Sequence, residues 1–257
     1  IQNLCFIPMG GVQYLIATVY VKGSSTYALL QKRLPSLIMN IDFPKKMYWE
    51  DPSIKYARPI RWILALFGTQ VVSFSLGRIQ SGNFSFGHFQ LKPTYIEIKH
   101  PKYYLSDLKN HYVLADIEER KQHIEKQIKT LEQQIKGCAI EQNKVLPEVL
   151  HLTEWPTLML GFFDAKFLRI PQEILISQII KYLKYFPITD RHDQLMNAFI
   201  ITIDSQPNPT IQLGNEKELL LRLSNRIVLY EKEIHIPLEL SYYKLQEISY
   251  QKNFKNL

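Results

Sequence analysis

The sequence predicts an α+β fold of two lobes, each a mostly antiparallel, short-stranded sheet packed with helices. Two observations predict the class: candidate strands come in groups rather than in strict alternation with helices, and the 257 residues exceed what most single hydrophobic cores use. A third places the boundary. One long amphipathic helix, Asp116 to Lys136, closes the first group at Gly137, which gives a lobe over residues 1–137 and a second over 138–257 that also ends in helices.

The elements follow in order. Val12 to Val21 is rich in β-branched residues and reads as a strand, and Gly23-Ser24-Ser25 turns the chain. Thr26 to Asn40 carries Leu29, Leu30, Leu34, Leu37 and Ile38 at helical spacing, with Pro35 splitting or kinking the helix. Pro59 suits the first turn of a helix over Ile60 to Phe67 that Gly68 stops. Thr69 to Leu76 and Tyr95 to Lys99 read as strands, with turns at Gly77, Gly82 and Gly87.

In the long helix, Ile117, Ile124, Ile128, Leu131 and Ile135 form one apolar stripe. Asp116 and Glu119 resemble a capping box, and Glu125 with Lys129 and Glu132 with Lys136 are favourably spaced for i,i+4 pairs. Beyond it come a helix near Leu146 to Thr153, a strand over Pro156 to Phe163 and a helix from Pro171 to Leu183. A strand starting at Tyr185 and Phe186, a strand over Phe199 to Ile203, a loop at Pro207-Asn208-Pro209 and a helix over Asn215 to Glu231 complete the chain.

Composition bounds the function. With 46% hydrophobic and 21% charged residues the chain is of globular type. No apolar run approaches the roughly 20 residues of a membrane-spanning helix, and Ile1 begins no signal-peptide pattern, so the start reads as internal to a longer protein. Cys5 and Cys138 are isolated, which fits a reducing cytoplasm and suggests neither a disulfide framework nor a zinc site. The net charge of +7 favours an anionic partner, because lysine and arginine displace counterions from phosphates.

Phosphate-cradling P-loop, dinucleotide, esterase-elbow and zinc-protease signatures are all missing. His192-Asp193 is the one metal-type pair, and it lies in a polar turn without further ligands. His88 lacks an identifiable nucleophile or orienting carboxylate and reads as a structural histidine. Glu118 and Glu119 diverge by about 100 degrees on a helix and serve solvation and capping.

Several separated blocks run in one family's order: Pro44-Lys45-Lys46-Met47-Tyr48-Trp49, Arg58-Pro59-Ile60-Arg61-Trp62, Gly87-His88 and Ala115-Asp116-Ile117-Glu118-Glu119-Arg120. Glu154-Trp155-Pro156, Phe167-Leu168, Pro171 to Ser177, Lys184-Tyr185-Phe186-Pro187, Gly214-Asn215-Glu216 and Arg222-Leu223-Ser224 continue the series. Together they resemble the β subunit of the bacterial two-subunit glycyl-tRNA synthetase. The resemblance implies a cytoplasmic ligase whose α subunit, sometimes fused to β, holds the glycine and ATP site with its Mg, while β contacts tRNA(Gly). It implies no catalytic residue, metal or cofactor within this stretch, and HD-type and anticodon-binding domains downstream. Tyr182-Leu183 stands where the family usually has His-Gln, and Phe89 where Arg commonly follows Gly-His.

Six residues are candidates for tRNA contact. Arg58 and Arg61 border Trp62 and suit phosphate or stacked bases, or else structural pairing and surface solvation. Lys181 and Lys184 interleave with Tyr182 and Tyr185, a pattern for stacking single strands. Arg222 and Arg226 form a phosphate ladder on one helix face, unless Glu218 claims Arg222 as an ion pair. A protein-interaction scaffold that docks the α subunit with little RNA contact is the alternative, and the Trp155-Pro156 and Phe162-Phe163 pairs read as core or interface.

Overall fold

A computed structural model describes residues 4–234 apart from Thr18, Glu50 and Ser53, and the side chains of Ile227 and Glu233, together with residues 242 and 243. The fold is α+β, as its composition of elements predicts. Contacts divide the chain into a first unit, up to Ser85 plus Tyr95–Tyr104, and a second, Phe86–Thr94 plus the described residues from Leu105 onward. This differs from a boundary at Gly137, because the long helix buries its apolar stripe in the second unit.

The first unit opens with a hairpin of β1 (Leu4–Met9) and β2 (Val12–Ala17), turned by Gly10 and Gly11, both at positive φ. Such a turn matches the strands' twist and costs glycine no steric strain. The predicted strand reached Val21; Thr18 lies outside the described residues, and Val19 to Val21 are irregular. α1 (Thr26–Met39) is capped by Ser25, whose Oγ accepts from the Ala28 N–H at 3.3 Å, and it runs through Pro35 as one helix.

Nine short strands follow: β3 (Met47–Tyr48), β4 (Lys55–Tyr56), β5 (Ile63–Leu64), β6 (Leu66–Phe67), β7 (Gln70–Val71), β8 (Ser75–Leu76), β9 (Ile79–Gly82), β10 (Phe84–Phe86) and β11 (Tyr95–Glu97). β5, β9 and β8 form a three-stranded sheet in that order, with β5 parallel to β9, and the other strands pair two by two. Buried Ser81 ties this layer together: its Oγ accepts from the Phe74 N–H and donates to the Val72 carbonyl, each at 2.8 Å.

The helix predicted over Ile60 to Phe67 is not formed. Gly68, at φ 64, opens a turn that pairs Leu66–Phe67 with Gln70–Val71, while Ile63–Leu64 pair with Ser81–Gly82. An eight-residue apolar run is too short to decide between helix and strand by itself, and here the neighbouring strands satisfy its backbone.

The second unit comprises α2 (Tyr104–Lys109), α3 (Ile117–Ile135), β12 (Cys138–Ala139), α4 (Gln142–Leu152), β13 (Thr157–Phe162), α5 (Gln172–Leu183), β14 (Phe186–Thr189), β15 (Leu195–Ile203) and α6 (Pro209–Glu233). Its antiparallel sheet has the order β12-β14-β15-β13. Successive residues of β15 point to opposite faces: Phe199 and Ile201 join a core with α5 and α6, whereas Ala198 and Ile200 join one with α3 and α4. Both faces being covered explains why the centre of β15, Ala198 to Ile201, is an unbroken apolar run.

The Asp116 carboxylate caps α3 as predicted, accepting from the Glu119 N–H at 2.9 Å. Ile124 and Ile128 are fully buried, but Ile117 at the stripe's start is exposed. Neither expected i,i+4 pair forms among the described residues; Glu132 Oε1 instead accepts from the Ala139 N–H at 2.8 Å, fastening the helix end to β12. The left-handed C-terminal residue is Lys136, at φ 57, one position before the expected Gly137. Asn208 caps α6, which starts six residues ahead of the predicted Asn215.

Candidate nucleic-acid interface

In the second unit, the last turn of α5 meets α6 through an exposed aromatic ring. Lys181 Nζ lies 5.6 Å from the centroid of the Tyr182 ring, and the Arg222 guanidinium lies 5.5 Å from the same centroid. Cations over a ring face are held by its quadrupole. Half of Tyr182 stays open to solvent. Arg222 is also gripped by Glu218, at 2.8 Å from Nη2 and 2.9 Å from Nε. The expected ion pair with Glu218 therefore forms: it fixes the guanidinium beside the ring, and it neutralises part of its charge.

Arg226, one turn further along α6, is exposed and has no ion pair among the described residues. Lys184 sits apart in role. It occupies the left-handed C-terminal position of α5, and its Nζ contacts Glu148 at 2.7 Å. Tyr185 turns inward, stacked on Phe199 with centroids 5.1 Å apart, and its hydroxyl donates to Asn215 Oδ1 at 2.5 Å. Burial, with the nearby Glu218 carboxylate adding to it, pushes its phenol up to about 12. The interleaved pattern thus resolves into exposed Lys181 and Tyr182, a surface ion pair at Lys184, and Tyr185 buried in the fold.

In the first unit, Arg58 and Arg61 are exposed and without an ion-pair partner among the described residues. Without the predicted helix, the neighbours Arg61 and Trp62 serve different places. Trp62 lines an apolar cavity of about 590 Å³ with Leu34 and Ile38 of α1, while Arg61 lines another with Trp49 and Arg78. Arg78 was not foreseen, because only the turn between β8 and β9 brings it there.

His88 is a structural residue. It is 2% exposed, and its Nδ1 accepts from the Gln90 and Leu91 N–H groups at 3.1 Å each. Two inward N–H donors require a lone pair on Nδ1, which leaves the proton on Nε2. Arg120, in the Ala115–Arg120 block, donates to the carbonyls of Leu114 and Leu150. His192 and Asp193 lie in a turn whose Asp190 carboxylate accepts from the N–H groups of Gln194 and His192, and these bonds hold it below the usual carboxylate range. Among the described residues no group of three His, Cys, Asp or Glu side chains is placed to hold a metal ion. Trp155 packs edge-on against Tyr112 and beside His123.

The fold and these patches define a basic α+β protein whose surface chemistry is cation-and-aromatic contact. Residues 1–256 match the family model described as glycyl-tRNA synthetase beta subunit, and the chain belongs to that family. It is 34% identical over 250 residues to the glycine–tRNA ligase of Chlamydia trachomatis, covering 97% of this chain and 25% of that protein. It is 32% identical to the glycine–tRNA ligase beta subunits of Halothermothrix orenii and Bacillus subtilis, covering 95% and 100% of this chain and 36% and 38% of theirs. The chain thus spans well under half the length of these relatives.

Proposed function

We propose that this chain is a tRNA-binding and subunit-assembly segment of a cytoplasmic glycine–tRNA ligase. It holds tRNA(Gly) so that the acceptor end reaches an active site in the α subunit, or in a fused α region, where ATP and Mg are used. The carrying observation is the exposed Tyr182 ring flanked by Lys181 and Arg222, a platform with the stacking face and positive charge that single-stranded nucleic acid needs. Its contribution is positional: holding the substrate converts a bimolecular encounter into an oriented one. The length of the Chlamydia relative, which contains the matching region within one chain named as the whole ligase, supports the fused alternative. No described helix is long and apolar enough to cross a membrane.

Steady-state aminoacylation by the assembled ligase tests this reading. Tyr182→Ala and Arg222→Glu raise KM for tRNA(Gly) and leave glycine-dependent exchange between ATP and pyrophosphate unchanged, since that half-reaction needs no tRNA. An unaltered KM in both variants refutes it.

A second reading, a scaffold for the α subunit with little RNA contact, draws on α6. Leu219 and Leu223 are fully buried, yet Leu213, Leu220, Leu221 and Val228 on another side of the helix are exposed. Weakened subunit association in Leu220→Lys, with tRNA affinity of the assembled fraction intact, favours that role.

A further inference from the structure

The second cavity of the first unit has a chemistry that the Tyr182 platform lacks. It encloses about 230 Å³ between Trp49, Asp51, Ile54, Arg61, Arg78 and Ile79. Its wall is apolar where Ile54 is buried and Ile79 half-buried. The Trp49 ring is fixed in place, because its indole N–H donates to the Tyr56 carbonyl at 3.0 Å. Arg61 and Arg78 are both exposed and have no ion pair among the described residues.

The two guanidinium groups come from separate parts of the chain. Arg61 precedes β5, while Arg78 stands in the turn from β8 to β9. Gly77 sets that turn at φ 58, and a Cβ there would lie 2.3 Å from Asp51 Oδ2. Asp51 is the one acid among the described residues of the wall, and it has contacts of its own. The cavity therefore offers an apolar wall, an indole beside it and two arginine forks. A planar heterocycle carrying an anionic phosphate satisfies all three, since arginine matches phosphate geometry and unpaired bases seek aromatic and apolar surfaces.

We propose that this cavity takes one unpaired nucleotide of a single-stranded RNA, its base against Ile54, Ile79 and Trp49 and its phosphate on Arg61 and Arg78. The proposal rests on the reading of the chain as an RNA-holding segment, and it adds a second contact point. A free nucleoside monophosphate has the same chemistry, so the test separates the two sources.

The test is photo-cross-linking of the full chain to a short single-stranded RNA containing 5-iodouridine, with the sites mapped by mass spectrometry. The expected result is a cross-link at Trp49 that falls by at least about fivefold in the Arg61→Gln/Arg78→Gln double variant, with the salt slope of binding reduced by about 0.7 per arginine. Neither arginine has an ion pair to lose among the described residues, and an unchanged circular-dichroism melt verifies the variant's fold. RNA that binds and cross-links at Tyr182 but not at Trp49, or a Trp49 cross-link indifferent to the double variant, overturns the cavity proposal and leaves the proposed function standing. Adenosine 5′-monophosphate abolishing the cross-link at a concentration equal to that of the RNA marks a free-nucleotide site and overturns it too. Failure of a folded chain to retain any RNA at low salt sinks both.

Discussion

The buried imidazole of His88 faces the carboxylate of Asp204, with Nε2 and Oδ1 3.2 Å apart but the N–H off the line of a hydrogen bond. The same Oδ1 accepts from the N–H groups of Glu154 and Trp155 at 2.9 and 2.8 Å. One carboxylate thereby joins the end of β15, the segment before β13 and the loop carrying His88. Removing it strands two amides and leaves a buried imidazole N–H facing no charge. Asp204→Ala should cost about 3 kcal/mol, the scale of charged hydrogen bonds lost without replacement. Urea unfolding measures it, and Asp204→Asn, which keeps an acceptor, should lose less. A loss within about 0.5 kcal/mol for the alanine variant contradicts this anchoring role.

His123 carries a pH dependence of stability. Burial holds its imidazole below the ordinary value of 6.5, only partly offset by the backbone of Pro156. The unfolded chain then binds the proton more readily than the folded one, so this group's contribution is intact above 6.5 and declines as pH falls through 6.5 toward the lowered folded value. Chemical denaturation at a series of pH values should show a decline that His123→Gln lacks. An identical pH profile for the two proteins removes the assignment.

Gly137 is required by packing. A Cβ at this position would stand 2.6 Å from Ile188 Cγ2, 2.9 Å from Met196 Sδ and 2.9 Å from the Thr189 carbonyl oxygen. Gly137→Ala is expected to destabilise by about 1–3 kcal/mol, as overpacked sites do. Thermal unfolding reports it, and an unchanged midpoint shows that the contact between the helix end and β14 yields freely.

The basic candidates should separate by their partners. Tyr182→Ala removes the exposed stacking face and should weaken RNA binding by roughly 1–3 kcal/mol. Lys184→Gln should change it little, because that ammonium is committed to Glu148. Filter binding of both variants decides the point; a larger effect at Lys184 than at Tyr182 reverses the assignment.

Much of the fold was legible because local signals agreed with tertiary packing. Asp116 ahead of a long amphipathic run and Pro171 ahead of another marked α3 and α5, and β-branched content marked β15. The segment from Ile60 to Phe67 was misread since its short apolar run contains no periodicity that separates helix from strand. That error carried into the site: the non-helical backbone sends Arg61 and Trp62 into different cavities and gives Arg61 the unforeseen neighbour Arg78. At α5, spacing placed Lys181 and Tyr182 near each other but held no information on Glu148, which lies 36 residues away and claims Lys184.

The most direct test is the affinity of the folded chain for tRNA(Gly) and for a non-cognate tRNA across a salt series, with Arg58→Glu/Arg61→Glu and Arg222→Glu/Arg226→Glu variants in parallel. Affinity should fall steeply with salt, and each double reversal should both weaken it and flatten the slope, because phosphate contacts release counterions. Salt-insensitive or undetectable binding by the folded chain, unaffected by either variant, would contradict the account.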